Sequence, residues 1–165
     1  MIDNPIYLFA AGLVPLFIGF IWYGPLFGKT WMKENNFTEE SLKEGSMALI
    51  FGLSYVLSVV LAFGLSAMTN HQTGVMQLLA THPDFNVAGS EVNTMFNSFM
   101  EKFGDRHRTF GHGALHGVIA GVLIALPLIV IDGLFERKSG KLIAINVGYW
   151  ITALTLMGGV ICKFL

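Results

Sequence analysis

The sequence predicts an all-α integral membrane bundle of four transmembrane helices, with an amphipathic interfacial helix in the long loop between helices two and three. Three observations lead there. The 165 residues include only 21 Asp, Glu, Lys and Arg side chains. Residues 4–28, 45–83, 109–131 and 142–162 contain none, so all 21 fall in the remaining 57 positions. Each of these stretches reaches the length of about 20 apolar residues that carries a helix across a bilayer core about 30 Å thick. The stretches are also apolar all round. A membrane barrel would need at least eight strands of alternating pattern, whereas helices satisfy their own backbone hydrogen bonds in lipid. An ordinary soluble domain and a disordered chain are excluded on the same grounds. A formal net charge of −1 offers no basic patch for nucleic acid. The first expected partner is the lipid bilayer.

The whole chain, 1–165, reads as one transmembrane domain. Span one covers about 6–27. It is expected to be retained rather than cleaved as a signal peptide, because Asp3 replaces a positive leader and the apolar run is too long for a signal core. The polar connection after it carries Glu39-Glu40-Ser41-Leu42-Lys43-Glu44, and Thr38 ahead of that run reads as a helix cap with acids in the first turn. Span two covers about 47–68. The long loop, about 69–111, holds a stripe of Val92, Met95, Phe96, Phe99, Met100 and Phe103 after Ser90. That spacing predicts an amphipathic helix suited to the membrane interface or to packing back on the bundle. Val75, Met76, Leu78 and Leu79 hint at a shorter piece, ended by His82-Pro83. Span three covers about 112–135 and span four about 142–162. The five residues Glu136 to Gly140 form a tight turn that makes these two spans antiparallel neighbours. Pro15 and Pro127 each remove a backbone donor inside a span and should kink it. Cys162, the single cysteine, is expected to be a small packing residue.

Lys29, Lys33, Lys43, Arg137, Lys138 and Lys141 lie on one side, against Lys102, Arg106, Arg108 and Lys163 on the other. This bias favours loops one and three in the cytoplasm, with both termini on the outer face.

The segment Trp22-Tyr23-Gly24-Pro25-Leu26-Phe27-Gly28-Lys29-Thr30-Trp31-Met32 is distinctive. With it go His116-Gly117, Leu134-Phe135-Glu136-Arg137-Lys138, Asn146-Val147-Gly148-Tyr149-Trp150 and Met157-Gly158. Together they resemble a family of small bacterial membrane proteins, the domain of unknown function seventeen sixty-one. The resemblance covers nearly all of the chain except the middle loop, about His71 to Arg108, which is longer here than in many relatives. It implies a four-helix protein of the bacterial inner membrane. It implies no activity, no cofactor and no catalytic residue, so Trp22, Tyr23, Gly24, Pro25 and Gly28 enter as motif residues only.

Candidate sites come from the residues themselves. Gly113, Gly117 and Gly121 recur every four positions and make a smooth groove for close approach of another helix, in this chain or in a second copy. The same stretch mimics a dinucleotide-binding loop, but no strand precedes it. His112 and His116 sit one turn apart, and His71 and His107 fall on the same side of the membrane. Imidazoles at that spacing suit a transition metal, or haem if a second helix contributes; hydrogen bonding between helices is the structural alternative. Asp132 is the acid nearest a span interior and is expected to pair with Arg137, Lys138 or Lys141, or else to line a polar path with Asn146 and Tyr149. Trp22, Tyr23, Trp31 and Trp150 suggest an aromatic belt at span ends. No Ser/His/Asp triad, phosphate loop or paired carboxylates are seen, so no catalytic residue is assigned and no cofactor is expected outright. The leading expectation is a non-enzymatic accessory or scaffold protein that partners itself or another membrane protein. A small oligomeric transporter or channel-like protein and a His-based metal- or haem-binding membrane protein stand as alternatives.

Overall fold

Four helices are long and apolar enough to cross a membrane: Ile6–Leu26, Met47–Thr69, Phe110–Phe135 and Gly140–Phe164. They belong to a computed structural model that describes residues 5–43 and 45–165. Asp3 and Glu44, invoked above for the leader and the acidic run, lie outside the described residues. Among the described residues there is no strand. Span one is α1 (Ile6–Ile21) continued by a π-helical turn, Trp22–Leu26. A short α2 (Gly28–Asn35) comes next, then α3 (Met47–Thr69) as span two. The long loop holds α4 (His71–Leu79) and α5 (Glu91–Phe103). Span three is α6 (Phe110–Ala120), a second π-helical turn at Gly121–Ala125, and α7 (Leu126–Phe135). Span four is one unbroken helix, α8 (Gly140–Phe164).

The last span is the central one. Its most apolar window is 44% buried inside the bundle, against 22% or less for the other three. Small residues put it there. A Cβ added to Gly117 would stand 2.6 Å from the Thr155 Cα, and one added to Gly113 would overlap the Gly158 carbonyl. The glycine groove is therefore filled by α8 of the same chain, with Ile151 against Gly121. Helix α1 packs on α3, where Gly12 admits the Val59 side chain. Ala11, Ala62, Leu65, Met157 and Ile161 form the core between them. Outward, large apolar side chains are bare: Phe17, Phe20, Phe63, Leu123 and Phe135 are all more than 60% exposed. Apolar surface on this scale, spread over the flanks of the bundle, is matched to hydrocarbon rather than water.

Several sequence expectations change in detail. Thr38 and Ser41 do exchange hydrogen bonds, with each backbone N–H donating to the other's hydroxyl at 3.0 and 3.2 Å. They introduce only a single 3-10 turn, Ser41–Lys43, and the true helix of this connection is α2, upstream. The sharp break in span one falls at Gly24, whose backbone leaves helical geometry (φ −102°, ψ −105°) ahead of Pro25; Pro15 lies within α1. Pro127 sits in the first turn of α7, where a missing N–H is tolerated, and the widened turn before it absorbs the lost register. Trp150 is not at a span end. It stands well inside α8, in the wall of an apolar cavity. Asp132 has no ion pair among the described residues, because Lys138 is held by Glu136 and Lys141 lies 3.8 Å from Glu34.

Candidate functional site

Where the long loop joins spans two and three, the chain gathers four histidines. Helix α3 stops at Thr69 because Asn70 turns extended (φ −105°, ψ 96°), and α4 restarts at once with His71. Two residues hold the long loop against this corner. The buried Gln72 donates its side-chain N–H groups to the carbonyls of Phe103, Gly104 and Arg106 at 2.9–3.0 Å, gathering the end of α5. The buried Cys162 thiol points at the carbonyls of His107 (3.3 Å) and Thr69 (3.6 Å), tying α8 to both sides of the corner. His107 itself takes the left-handed conformation (φ 66°), and two residues later Thr109 caps α6, its hydroxyl accepting from the His112 N–H. Helix α6 then displays His112 and His116 on one face, one turn apart.

The result is a compact imidazole cluster. The Nε2 atoms of His71 and His112 are 2.9 Å apart. One ring nitrogen from each of His71, His112 and His116 lies within 4.8 Å of the others. His107 joins differently. Its ring stacks on His112 at 4.8 Å and 23° and meets His71 edge-on at 6.1 Å, so it braces the trio rather than pointing into it. His71 is exposed and His112 and His116 are half-buried, which leaves the cluster open to solute. Beside it, Asn70 is buried with its Oδ1 unpartnered among the described residues. A zinc-type ion holds imidazole nitrogens at about 2.0–2.1 Å, which sets neighbouring ligand nitrogens roughly 2.9–3.4 Å apart at angles of about 90–110°. The His71–His112 separation falls in that range and, without an ion, is a hydrogen bond from one neutral ring to the other; His116 has its ring nitrogen within 4.8 Å of both.

At the opposite end, the motif segments of spans one and four meet. Trp22 donates its indole N–H to the Ile145 carbonyl (3.0 Å), and its six-membered ring lies over Gly148. Tyr23 donates to the Asn146 Oδ1 (3.1 Å). Gly28 lets the chain turn back on the Tyr23 carbonyl, 2.6 Å from where a Cβ would stand. Asp132 and Asn146 share a polar cavity of about 270 Å³ with Tyr23 and Lys138. Tyr149 does not join them; it turns to span one and donates to the Pro15 carbonyl at 2.9 Å. Within the single chain, Asp132 and Asn146 therefore share a cavity whose lining does not include Tyr149. Thr152 and Thr155 bond back to their own helix.

Sequence reasoning missed Gln72, the dual contact of Cys162, and the seat of Trp22 on Gly148. A polar Gln directly after His71 was the available signal for the first; nothing local marked the other two. A family model described as "Protein of unknown function (DUF1761)" matches residues 6–162. No curated protein and no solved structure matches the chain.

Proposed function

The chain belongs to the DUF1761 family of unknown function, and from its own side chains we propose a multi-pass membrane protein that binds a transition-metal ion at one membrane face. The observation that carries this is the convergence of His71, His112 and His116, with one ring nitrogen of each inside 4.8 Å of the others. Neutral imidazole is a good ligand for zinc, copper, nickel and iron. Three such ligands leave a coordination position for water or a solute, as in open metal sites. Haem suits the cluster poorly. Its two axial nitrogens stand on opposite faces of a flat macrocycle, about 4 Å apart, given iron–nitrogen bonds of about 2 Å. Ring centroids here are only 4.6–5.0 Å apart, which leaves no slot for the macrocycle.

The protein acts on this reading by holding or presenting a metal, without a catalytic base of its own. The setting is the bacterial inner membrane with the cluster on the outer face, where the lysine and arginine bias also puts both termini. The accessory or scaffold reading keeps one supporting observation. Leu78, Val87 and Met95 of the α4–α5 arm are more than 50% exposed, apolar side chains for the interface or a partner. The test is elemental analysis of protein purified without a histidine tag and equilibrated in turn with zinc, copper(II) and nickel(II). One ion per chain, lost in the His112→Ala, His116→Ala double variant, supports the reading. Absence of any retained ion in the wild-type protein rejects it.

A further inference from the structure

A second site has its polar end at the opposite end of the same molecule and shares no residue with the histidine cluster. Between α3, the second half of span three and α8 runs an apolar cavity of about 600 Å³, walled by Leu61, Gly64, Ala125, Leu128 and Leu154 among others. Two of its wall residues, Ile129 and Trp150, also line the polar cavity of about 270 Å³ that holds Asp132, Asn146, Tyr23 and Lys138. The two are one furrow. Along α8 its wall reads Leu154, Trp150, Asn146, one face at four-residue steps. Along span three it runs from Ala120 to Gly133, about 20 Å at 1.5 Å per residue. Half of a bilayer core is about 15 Å. From the leaflet interface at its polar, Asp132 end the furrow runs past mid-membrane, its apolar wall reaching Met68 in the last turn of α3, and its volume lies in the range of small-molecule sites.

We infer that this furrow binds one aminophospholipid of that leaflet, with an acyl chain in the apolar part and its headgroup in the polar part. Charge selects the headgroup. Lys138 and Lys141 are each paired to a glutamate, while Asp132 has no ion pair among the described residues. Glu136 is not part of the lining, which carries one carboxylate, Asp132, and one ammonium, Lys138; that pair of opposite charges matches a zwitterionic headgroup that brings both an ammonium and a phosphate. Asn146 accepts from Tyr23 through its carbonyl oxygen, which leaves its amide N–H donors, with the Lys138 ammonium, for the lipid phosphate. A purely anionic headgroup would meet Asp132 without compensation. A sterol or isoprenoid quinone would leave Asp132 unpaired.

The experiment uses the full chain reconstituted in vesicles of equal parts phosphatidylethanolamine and phosphatidylglycerol, extracted gently, with retained lipid identified by native mass spectrometry. One phosphatidylethanolamine per chain is expected. Asp132→Asn should lower its preference over phosphatidylglycerol about tenfold or more, the scale of a charge-assisted hydrogen bond. Gly64→Phe is the second variant. A Cβ at Gly64 meets nothing within 4 Å, so the ring enters the furrow without disturbing the helix contacts, and it should abolish retention with Asp132 intact. Equal retention of the two lipids, retention unchanged in Gly64→Phe, no retained lipid, or an isoprenoid quinone in its place each overturns the proposal. None of these results bears on metal binding, which is read separately on the same sample.

Discussion

Replacing Gly117 by Ala adds one carbon at the point where α6 rests on α8, and the consequence is computable from the backbone. The new Cβ would lie 2.6 Å from the Thr155 Cα and 2.7 Å from the Leu154 carbonyl carbon, where ordinary contact starts at 3.4 Å. The Leu154 carbonyl oxygen stands closer still, at 2.2 Å; all three are backbone and cannot rotate away, so α6 must retreat by about 1.2 Å to reach ordinary contact. Overpacking of this kind costs about 1–3 kcal/mol. Ala returns up to about 1 kcal/mol of helix propensity over Gly, so the net loss is about 0–2 kcal/mol, toward the upper end for a clash with backbone. The matched control is Gly52→Ala in α3, where a Cβ meets nothing within 4 Å and only the propensity gain applies. Unfolding in detergent, monitored by circular dichroism, should rank the proteins Gly52→Ala, wild type, Gly117→Ala in falling stability. Metal affinity should move with it. His112 and His116 ride on α6 while His71 sits on α4, so a shift of α6 by about an ångström disturbs the 2.9 Å His71–His112 separation, which matches adjacent tetrahedral ligands only within about 0.5 Å. Affinity by chelator competition should fall about tenfold, equivalent to about 1.4 kcal/mol. A Gly117→Ala protein as stable as Gly52→Ala, with unchanged affinity, would refute the packing argument.

Other outcomes rest on the same geometry. His107→Ala should retain the metal with weakened affinity, because His107 stacks on the cluster instead of converging with it; loss as complete as in the His112/His116 double variant would make it a ligand. Acidification protonates imidazole and competes with metal, so retention should fall steadily as pH is lowered from about 8 to about 5; equilibrium dialysis reads this directly, and retention independent of pH would exclude histidine ligation. Gln72→Leu removes the donor shared by three carbonyls of the 103–106 segment and should speed tryptic cleavage at Arg106 and Arg108 without changing total helix content. Trp22→Phe deletes the bond to the Ile145 carbonyl and should destabilise by about 1 kcal/mol, measured as a lowered midpoint in detergent unfolding.

The spans were legible because a missing charge is a one-dimensional signal: a helix crossing 30 Å of hydrocarbon must be apolar along its length, whatever it packs against. The glycine period was legible for a similar reason, since small residues every fourth position share a helix face; which helix filled that face was not, because the partner positions Leu154, Thr155 and Gly158 lie some 40 residues away. The histidines were seen to share a side of the membrane, but their convergence depends on an irregular turn at Asn70 and on a loop drawn in by Gln72, neither of which is periodic. Asp132 was misjudged because three cations nearby in sequence suggested a pair, while the fold gave two of them to glutamates. Trp150 was assigned to a membrane edge by residue type, although its place at the middle of α8 comes from simple counting along the helix.

The widened turn at Gly121–Ala125 is also an indexing device. In a regular α-helix each residue advances the face by about 100°, so Gly121 and Gly133, twelve residues apart, would point about 120° away from each other. A π-turn takes one residue out of that count and reduces the offset to about 20°. This is why both glycines meet α8, Gly121 against Ile151 and Gly133 against Ile143, although span three carries them at a spacing that no straight helix would align. The turn behaves as a single-residue insertion whose phase error has been put to use, and the chain should therefore accept its removal. Deleting Leu123, which is 69% exposed, should regularise the helix and leave both contacts in place. Deleting the similarly exposed Val60 from α3, which has no such turn to absorb the change, should rotate half of that span away from its neighbours and abolish folding.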